Sequence, residues 1–485
     1  MEYTSPHGLG LAIIVAIYAI DLIIRLALLI YIPKNRKPTA AMAWLLFIYI
    51  IPVYGTIFFF IIGGTKLSVR RRKAQQQINL LLKRYSTTLK KAGLTAPKRT
   101  TYLSYMKLGE SLTMLAPTQH NTVAILSGYD ELIEEMTEKI RAARYYVYVE
   151  FYILALDSTT EPFFKALEDA VERGVDVKLL FDAYGSRKYP RYKEMQKRLT
   201  SIGVEWRKIL PFSLIPRRYN RPDLRNHRKI LVVDSSDAYI GSLNVIDKTY
   251  HRKDDISYIE LAVHMQGPSV NEAAAVFASD WYCETGELLK DFTTTPPTHT
   301  KGRALVQLIP SGPGYPYQNN LKMFVAAIQG AQRSVVITNP YLVPDESLLS
   351  ALISAAQRGV KVSVLNSTAI DQWMVGHAQR SYYTELLRAG VEIYLYKKPQ
   401  LVHEKFMAID EEIGIIGSSN LDIRSFELNL ECVVVVYNRT AARTLAKHHY
   451  ELRENAHKVH LETWKKRSLW QSFLDSIARL TSALQ

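Results

Sequence analysis

An α/β protein built of two pseudo-symmetric α/β/α halves, preceded by an apolar amino-terminal helical hairpin, is the fold the sequence predicts. Three observations carry that reading. Two long apolar runs fill the first 65 residues; from about Leu115 onward short strand-like runs alternate with helical stretches; and the pattern of residues 130–260 recurs in residues 320–432. With 485 residues and 48% hydrophobic content, the chain has material for two or three domains and is not a mainly disordered one.

Residues 9–32 and 41–62 are each long and apolar enough to cross a bilayer as a helix, which predicts two spans. A cleaved signal peptide fits poorly, because no Lys or Arg precedes the first run. Asp21 and Arg25 stand four apart within it, a spacing at which the charges neutralise each other on one helix face. Pro33, Pro38 and Pro52 leave open a shallow hairpin that never fully spans. Lys34, Arg36 and Lys37 occupy the turn, while Lys66, Arg70, Arg71, Arg72 and Lys73 follow the second run. The longer cluster favours a cytoplasmic body in a multi-pass protein of the cell membrane.

The boundaries that follow are a membrane anchor over residues 1–65, a basic helical linker over 66–114, a first half over 115–295 and a second over 296–485. Lys and Arg total 61 against 46 Asp and Glu, a formal charge of +15 that suits phosphates, nucleic acids or acidic lipid surfaces. The only cysteines, Cys283 and Cys432, lack the spacing of a disulfide framework or a zinc site.

Each half opens with a helix that leads through an arginine, Arg144 or Arg333, into an apolar strand. Helices ending in Arg173-Gly174-Val175 and Arg358-Gly359-Val360 feed the next strands, and a further step turns at Gly203 and Gly390. Glycine at that point is the usual left-handed stop between helix and strand.

His227, Lys229 and Asp234 follow the spacing H-x-K-x4-D, and His403, Lys405 and Asp410 repeat it without a gap. Both copies continue alike, with Gly241, Ser242 and Asn244 in the first and Gly417, Ser418 and Asn420 in the second. An acid stands 28 residues beyond each histidine, Asp255 and Glu431. Period-two alternation places each His and Lys on one strand face, where they can meet one phosphate. Imidazole can attack phosphorus and can donate a proton near neutral pH when a carboxylate fixes its tautomer, the role expected of Asp255 and Glu431. The lysines, both asparagines and the hydroxyls of Ser242 and Ser418 are candidate ligands of the phosphate oxygens. Asp234 and Asp410, at strand ends, are counted with the catalytic set but can equally hold the fold. This chemistry needs no metal and no cofactor.

The paired motif resembles the twin HKD motifs of the phospholipase D superfamily, over nearly everything from residue 115 to the end. The resemblance implies two phospholipase D-like halves that share one site and pass a group through a phosphohistidine. Arg225-Asn226-His227-Arg228-Lys229, Asn339-Pro340-Tyr341 with Pro344-Asp345, Arg380-Ser381-Tyr382-Tyr383, and the stretch from Gly417 through Arg424 to Glu431 are similar to the cardiolipin synthases. Ala43-Trp44-Leu45-Leu46 and Pro52-Val53-Tyr54-Gly55 resemble the anchor of that family. The first half departs from it at Gly241-Ser242 and lacks the usual acidic-aromatic continuation after Ile246. The family implies transfer of a phosphatidyl group from one phosphatidylglycerol to another, with His227 as nucleophile and His403 as acid and base, or the reverse. A hydrolytic phospholipase D or a phosphatidylserine synthase is the alternative, and a membrane-tethered nuclease a weaker one. Partners are therefore an anionic phospholipid and the membrane; nucleic acid is not expected, and a homo-oligomer is left open.

Overall fold

The computed structural model describes residues 6–64, 67–97, 100–213, 219–250, 256–289 and 300–482. The chain divides into two units, one holding residues up to Leu67 with Tyr219–Asp223, the other holding the rest.

In the smaller unit, helix α1 (Pro6–Tyr31) is apolar, with a mean hydropathy of 2.6 over Gly10–Tyr31, where nearly all the side chains are exposed. Its length suffices for a hydrocarbon core about 30 Å thick. Asp21 and Arg25 pair at 2.5 Å, as their spacing predicts. The second apolar run differs from expectation. It breaks at Pro52 into α2 (Pro38–Ile50) and α3 (Pro52–Ile62), of 13 and 11 residues, each too short to span alone. Proline lacks the N–H that would continue α2, yet suits the first turn of α3, so the chain folds back there. Gly55 permits the fold, since a Cβ at that position would lie 2.9 Å from the Ile48 Cα. Leu28, Ile32, Ala41, Ile48 and Phe59 form the small core of this unit.

The larger unit begins with α4 (Val69–Lys91), capped by the Ser68 hydroxyl, and α5 (Leu103–Thr113). The first half then supplies strands β1 (Thr118–Ser127), β2 (Tyr146–Phe151), β3 (Asp176–Asp182), β4 (Glu205–Ile209), β5 (Ile230–Val233), β6 (Asp237–Gly241) and β7 (Leu261–Gln266). The second supplies β8 (Ala304–Ser311), β9 (Ser334–Thr338), β10 (Lys361–Ser367), β11 (Glu392–Tyr396), β12 (Phe406–Ile409), β13 (Ile413–Gly417), β14 (Asn429–Tyr437) and β15 (Ala456–Lys458). They share one sheet in the order β15-β11-β10-β9-β12-β13-β14-β8-β1-β7-β6-β5-β2-β3-β4, which reads nearly the same from either end. The halves join through antiparallel β1 and β8, with Thr118 opposite Val306.

Alternation along the strands sorts the helices onto two faces. In β2, Val147, Val149 and Phe151 enter a core with α6 (Tyr129–Ala142), α7 (Glu161–Glu172) and α8 (Tyr192–Ser201), whereas Tyr148 stacks on Phe277 of α9 (Pro268–Thr285) at 4.8 Å. In β9, Val335 and Ile337 face α10 (Asn319–Gly330) and α11 (Glu346–Gln357), while Thr338 binds His449 of the helix Arg439–Glu454 at 2.9 Å. Gly174, Gly203, Gly359 and Gly390 all have φ between 81° and 96°, the left-handed stops expected from sequence.

Candidate active site

Each motif histidine is held by the opposite half. Arg225–Asn226 runs parallel to the start of β14, so the His227 N–H donates to the Leu430 carbonyl at 2.8 Å. Gln400–Val402 runs parallel to Ser257–Ile259, and the His403 N–H donates to the Ile259 carbonyl at 2.9 Å. The side chains exchange in the same way. His227 Nδ1 lies 3.0 and 3.1 Å from the two oxygens of Glu431, and His403 Nδ1 lies 2.7 Å from Glu260 Oε1. A carboxylate at Nδ1 requires the proton there and leaves the Nε2 lone pair for chemistry. Edge-on aromatic contacts complete both settings, Tyr152 to His227 at 5.1 Å and Tyr258 to His403 at 5.2 Å.

Glu260 was not singled out by spacing, which pointed to Asp255, a residue outside those described. The hydroxyl that follows each strand identifies the equivalence. Ser242 accepts from the N–H of Leu261, the residue after Glu260, and Ser418 accepts from that of Cys432, the residue after Glu431, both at 3.0 Å. Glu260 stands 33 residues after His227, five more than separate Glu431 from His403. A readable signal existed: both acids open an apolar strand, Glu260-Leu261-Ala262-Val263 and Glu431-Cys432-Val433-Val434.

The serines differ from expectation as well. Ser418 donates to Glu431 and Ser242 donates to the Leu261 carbonyl at 3.1 Å, so both brace the strands that carry the acids and neither lines the cavity. Asn244 and Asn420 do line it. Asn244 is bound to the Ile153 N–H and the Tyr250 hydroxyl, while the Asn420 Oδ1 is buried without a hydrogen-bond partner. Lys229 and Lys405 each donate to the carbonyl of their own histidine at 2.7 Å.

Asp234 and Asp410 lie away from the site. The Asp234 carboxylate accepts from the backbone N–H groups of Arg144, Tyr145 and Tyr146, and Asp410 from those of Gln332, Arg333 and Ser334, all between 2.7 and 2.9 Å. Both aspartates sit in the left-handed region at φ 53°. Their place among reacting groups is thereby corrected: each fixes the corner where a strand begins.

The two histidines open onto one cavity of about 430 Å³. Arg225, Arg424 and Lys188 line it, and Arg225 has Nε and Nη2 buried without a partner while Nη1 meets Asp182 at 3.1 Å. Unsatisfied guanidinium donors in a closed site call for an anion. Asp371 lies on the same lining, holding the Tyr341 hydroxyl through both oxygens at 2.7 Å and the Tyr258 hydroxyl at 3.2 Å.

Burial pushes His227 well below the usual imidazole range, with the charges of Lys229 and Lys405 adding to it. Burial also lowers His403, but the neighbouring Glu260 charge opposes the shift. Lys229 is pushed down to about 7 and Lys405 to about 8, mainly by burial. The acids part company. Burial raises Glu431 to about 7 despite Lys229, whereas at Glu260 the same penalty is overcome by His403 and Lys405, and its carboxyl stays below the ordinary value.

Residues 136–281 and 324–452 match the family model described as the PLD-like domain of cardiolipin synthase, one match in each half. The chain belongs to the cardiolipin synthase family. It is 32% identical to cardiolipin synthase A of Buchnera aphidicola over 461 residues, covering 93% of this chain and 94% of that one. It is 31% identical to cardiolipin synthase A of Proteus mirabilis over 464 residues, with the same coverage. Among solved structures, the phosphatidylserine synthase of Haemophilus influenzae covers 79% of this chain and all of its own, with a TM-score of 0.59 at 13% identity, a likeness of fold. Membership in the cardiolipin synthase family makes the chain a phosphatidyltransferase with a phospholipid substrate, and the apolar α1 accords with a membrane enzyme.

Proposed function

We propose that the protein transfers a phosphatidyl group from one phosphatidylglycerol to the hydroxyl of another, forming cardiolipin and releasing glycerol. The observation that carries this reading is the pair of imidazoles, each oriented by a buried glutamate of the opposite half, at one cation-lined cavity. Its place in a chain alignable over 93% of its length with cardiolipin synthases supports the choice of substrate.

His227 attacks phosphorus through Nε2, and His403 gives its proton to the departing glycerol oxygen. The P–O bond to glycerol breaks as the P–N bond to His227 forms. A second phosphatidylglycerol then enters. His403, now neutral, takes the proton of its hydroxyl as that oxygen attacks phosphorus and the P–N bond breaks. Electrostatics support this division of labour, since the nucleophile must be neutral and the acid protonated: His227 is the more strongly depressed ring, and His403 has the ionised partner. Arg225, Arg424, Asn420 and Asn244 hold the non-bridging oxygens as charge develops on them. Lys229 and Lys405 join them by turning from the histidine carbonyls they now bind. Both histidines come from a single chain, so the reaction as drawn needs no second subunit.

The body lies on the cytoplasmic side of the cell membrane in this reading, behind two passes. The basic run Arg70–Lys73 supports the side. Two passes require α1 to cross and the α2–α3 pair to bring the chain back. Lys37→Cys then reacts with a membrane-impermeant thiol reagent added outside; its silence would reject the two-pass arrangement.

The function is tested by product analysis in phosphatidylglycerol vesicles. Cardiolipin with stoichiometric glycerol, absent in His227→Ala and His403→Ala, is the expected result. Phosphatidic acid as sole product would make the protein a hydrolase.

A further inference from the structure

The last helix of the body, Leu469–Leu480, is packed inside out. Asp475 and Ala478 are its buried residues, and Asp475 is bound by His377 Nδ1 at 2.6 Å and by Arg467. The apolar residues of the same helix turn away from the protein: Leu469 is 90% exposed, Trp470 66% and Leu480 81%, with Phe473 and Ile477 about half exposed. Burial of apolar surface favours the opposite orientation for a helix whose only neighbours are protein and water. The polar latch holds it this way, and an apolar partner is what the outward face fits.

The patch continues to the mouth of the cavity. The helix packs on Trp373–Arg388, which carries His377 and begins with Trp373 and Met374, both exposed. Gln372 and Val375, on either side of that pair, line the cavity, and the Trp373 ring lies 4.4 Å from His377. Lys465 and Lys466 stand exposed just before the outward face. Apolar residues rich in tryptophan, edged by lysine, match the interface of an anionic bilayer, where the ring seats among the headgroups and the ammonium meets phosphate.

We propose that Leu469–Leu480, with Trp373 and Met374, docks in the surface of a bilayer that contains anionic lipid and seats the cavity mouth on it. The acyl chains of a substrate then stay in the membrane while its headgroup reaches the histidines. Because α1 already tethers the chain, docking orients the body and does not recruit it.

The test uses the full-length enzyme in vesicles of phosphatidylglycerol and phosphatidylcholine. A fluorophore is attached at Phe473→Cys, and for comparison at Arg443→Cys on the exposed face of Arg439–Glu454; the native Cys283 and Cys432 are buried. Quenching at 473 by a lipid-borne quencher, with protection from an aqueous one, and the reverse at 443, is the expected result. Equal aqueous quenching at both sites would overturn the proposal. So would protection at 473 that ignores the lipid-borne quencher and grows with protein density, which marks a second copy of the chain on this face. As a kinetic arm, Trp470→Ser combined with Phe473→Ser raises KM for surface phosphatidylglycerol about ten-fold, with kcat within about two-fold and the melting temperature unchanged. An unchanged KM would count against the proposal. Only this arm rests on phosphatidyl transfer, so failure of the activity and failure of docking are told apart.

Discussion

The two halves place the same residues around the same ring and give the rings different surroundings. His227 faces Glu431, a carboxyl raised to about 7, and burial, with two lysines adding to it, holds the ring neutral. His403 faces Glu260, whose charge is retained and opposes the burial that lowers the ring. A duplicated motif therefore need not mean duplicated roles. In the proposed mechanism, burial and neighbouring charge divide two identical side chains into an attacking nitrogen and a proton carrier, with no change in the motif itself.

The comparison breaks most sharply with a substrate that needs no acid. On a phospholipid carrying a nitrophenyl leaving group, His403→Ala should still release a burst of nitrophenol, whereas His227→Ala should lose at least about 10⁴-fold in rate with no burst. Equal bursts, or the reverse order, would exchange the two roles.

The acids sharpen the contrast through pH. Glu260→Gln removes a full charge beside His403, so its folded-state pKa falls further and the protonated acid is lost at lower pH. The alkaline limb of the kcat profile moves to lower pH, with about 10²-fold or more lost at neutrality. In Glu431→Gln the loss is small below about pH 7, where Glu431 is already protonated, and grows above it as the wild-type carboxyl ionises. Identical profiles for the two variants would remove the asymmetry.

Other features should respond alike in both halves. Asp234→Ala and Asp410→Ala each strand three backbone N–H groups, lowering stability by about 1–3 kcal/mol in denaturant melts, with kcat of the folded fraction kept. Smaller still, Gly174→Ala and Gly359→Ala have open space for a methyl group but φ of 83° and 87°, and each costs about 1 kcal/mol. A large loss of kcat in the aspartate variants would return them to the chemistry.

The repeat, its glycine stops and its histidines were legible because hydrophobic period and motif spacing are local. What was not legible depended on length and direction. Five extra residues before Glu260 moved the orienting acid off the count that worked for Glu431. Motif position assigns the hydroxyls of Ser242 and Ser418 to the phosphate oxygens, and only the fold tells that they turn instead toward the strands that carry the acids. Hydropathy summed over residues 41–62 hides the break at Pro52, since a proline between two apolar helices leaves the average intact. Arg225, Tyr341 and Asp371 lie far apart in sequence, and only the closed cavity brings them together.

The exchanged segments also carry a historical constraint. Each histidine takes both its backbone anchor and its carboxylate from the other copy, so a half expressed alone would have a ring with nothing to orient it. Once joined, neither copy can be discarded or replaced without disarming the other, yet each can change its own surroundings. Mutual dependence fixes the scaffold and leaves the surroundings of each ring free to differ.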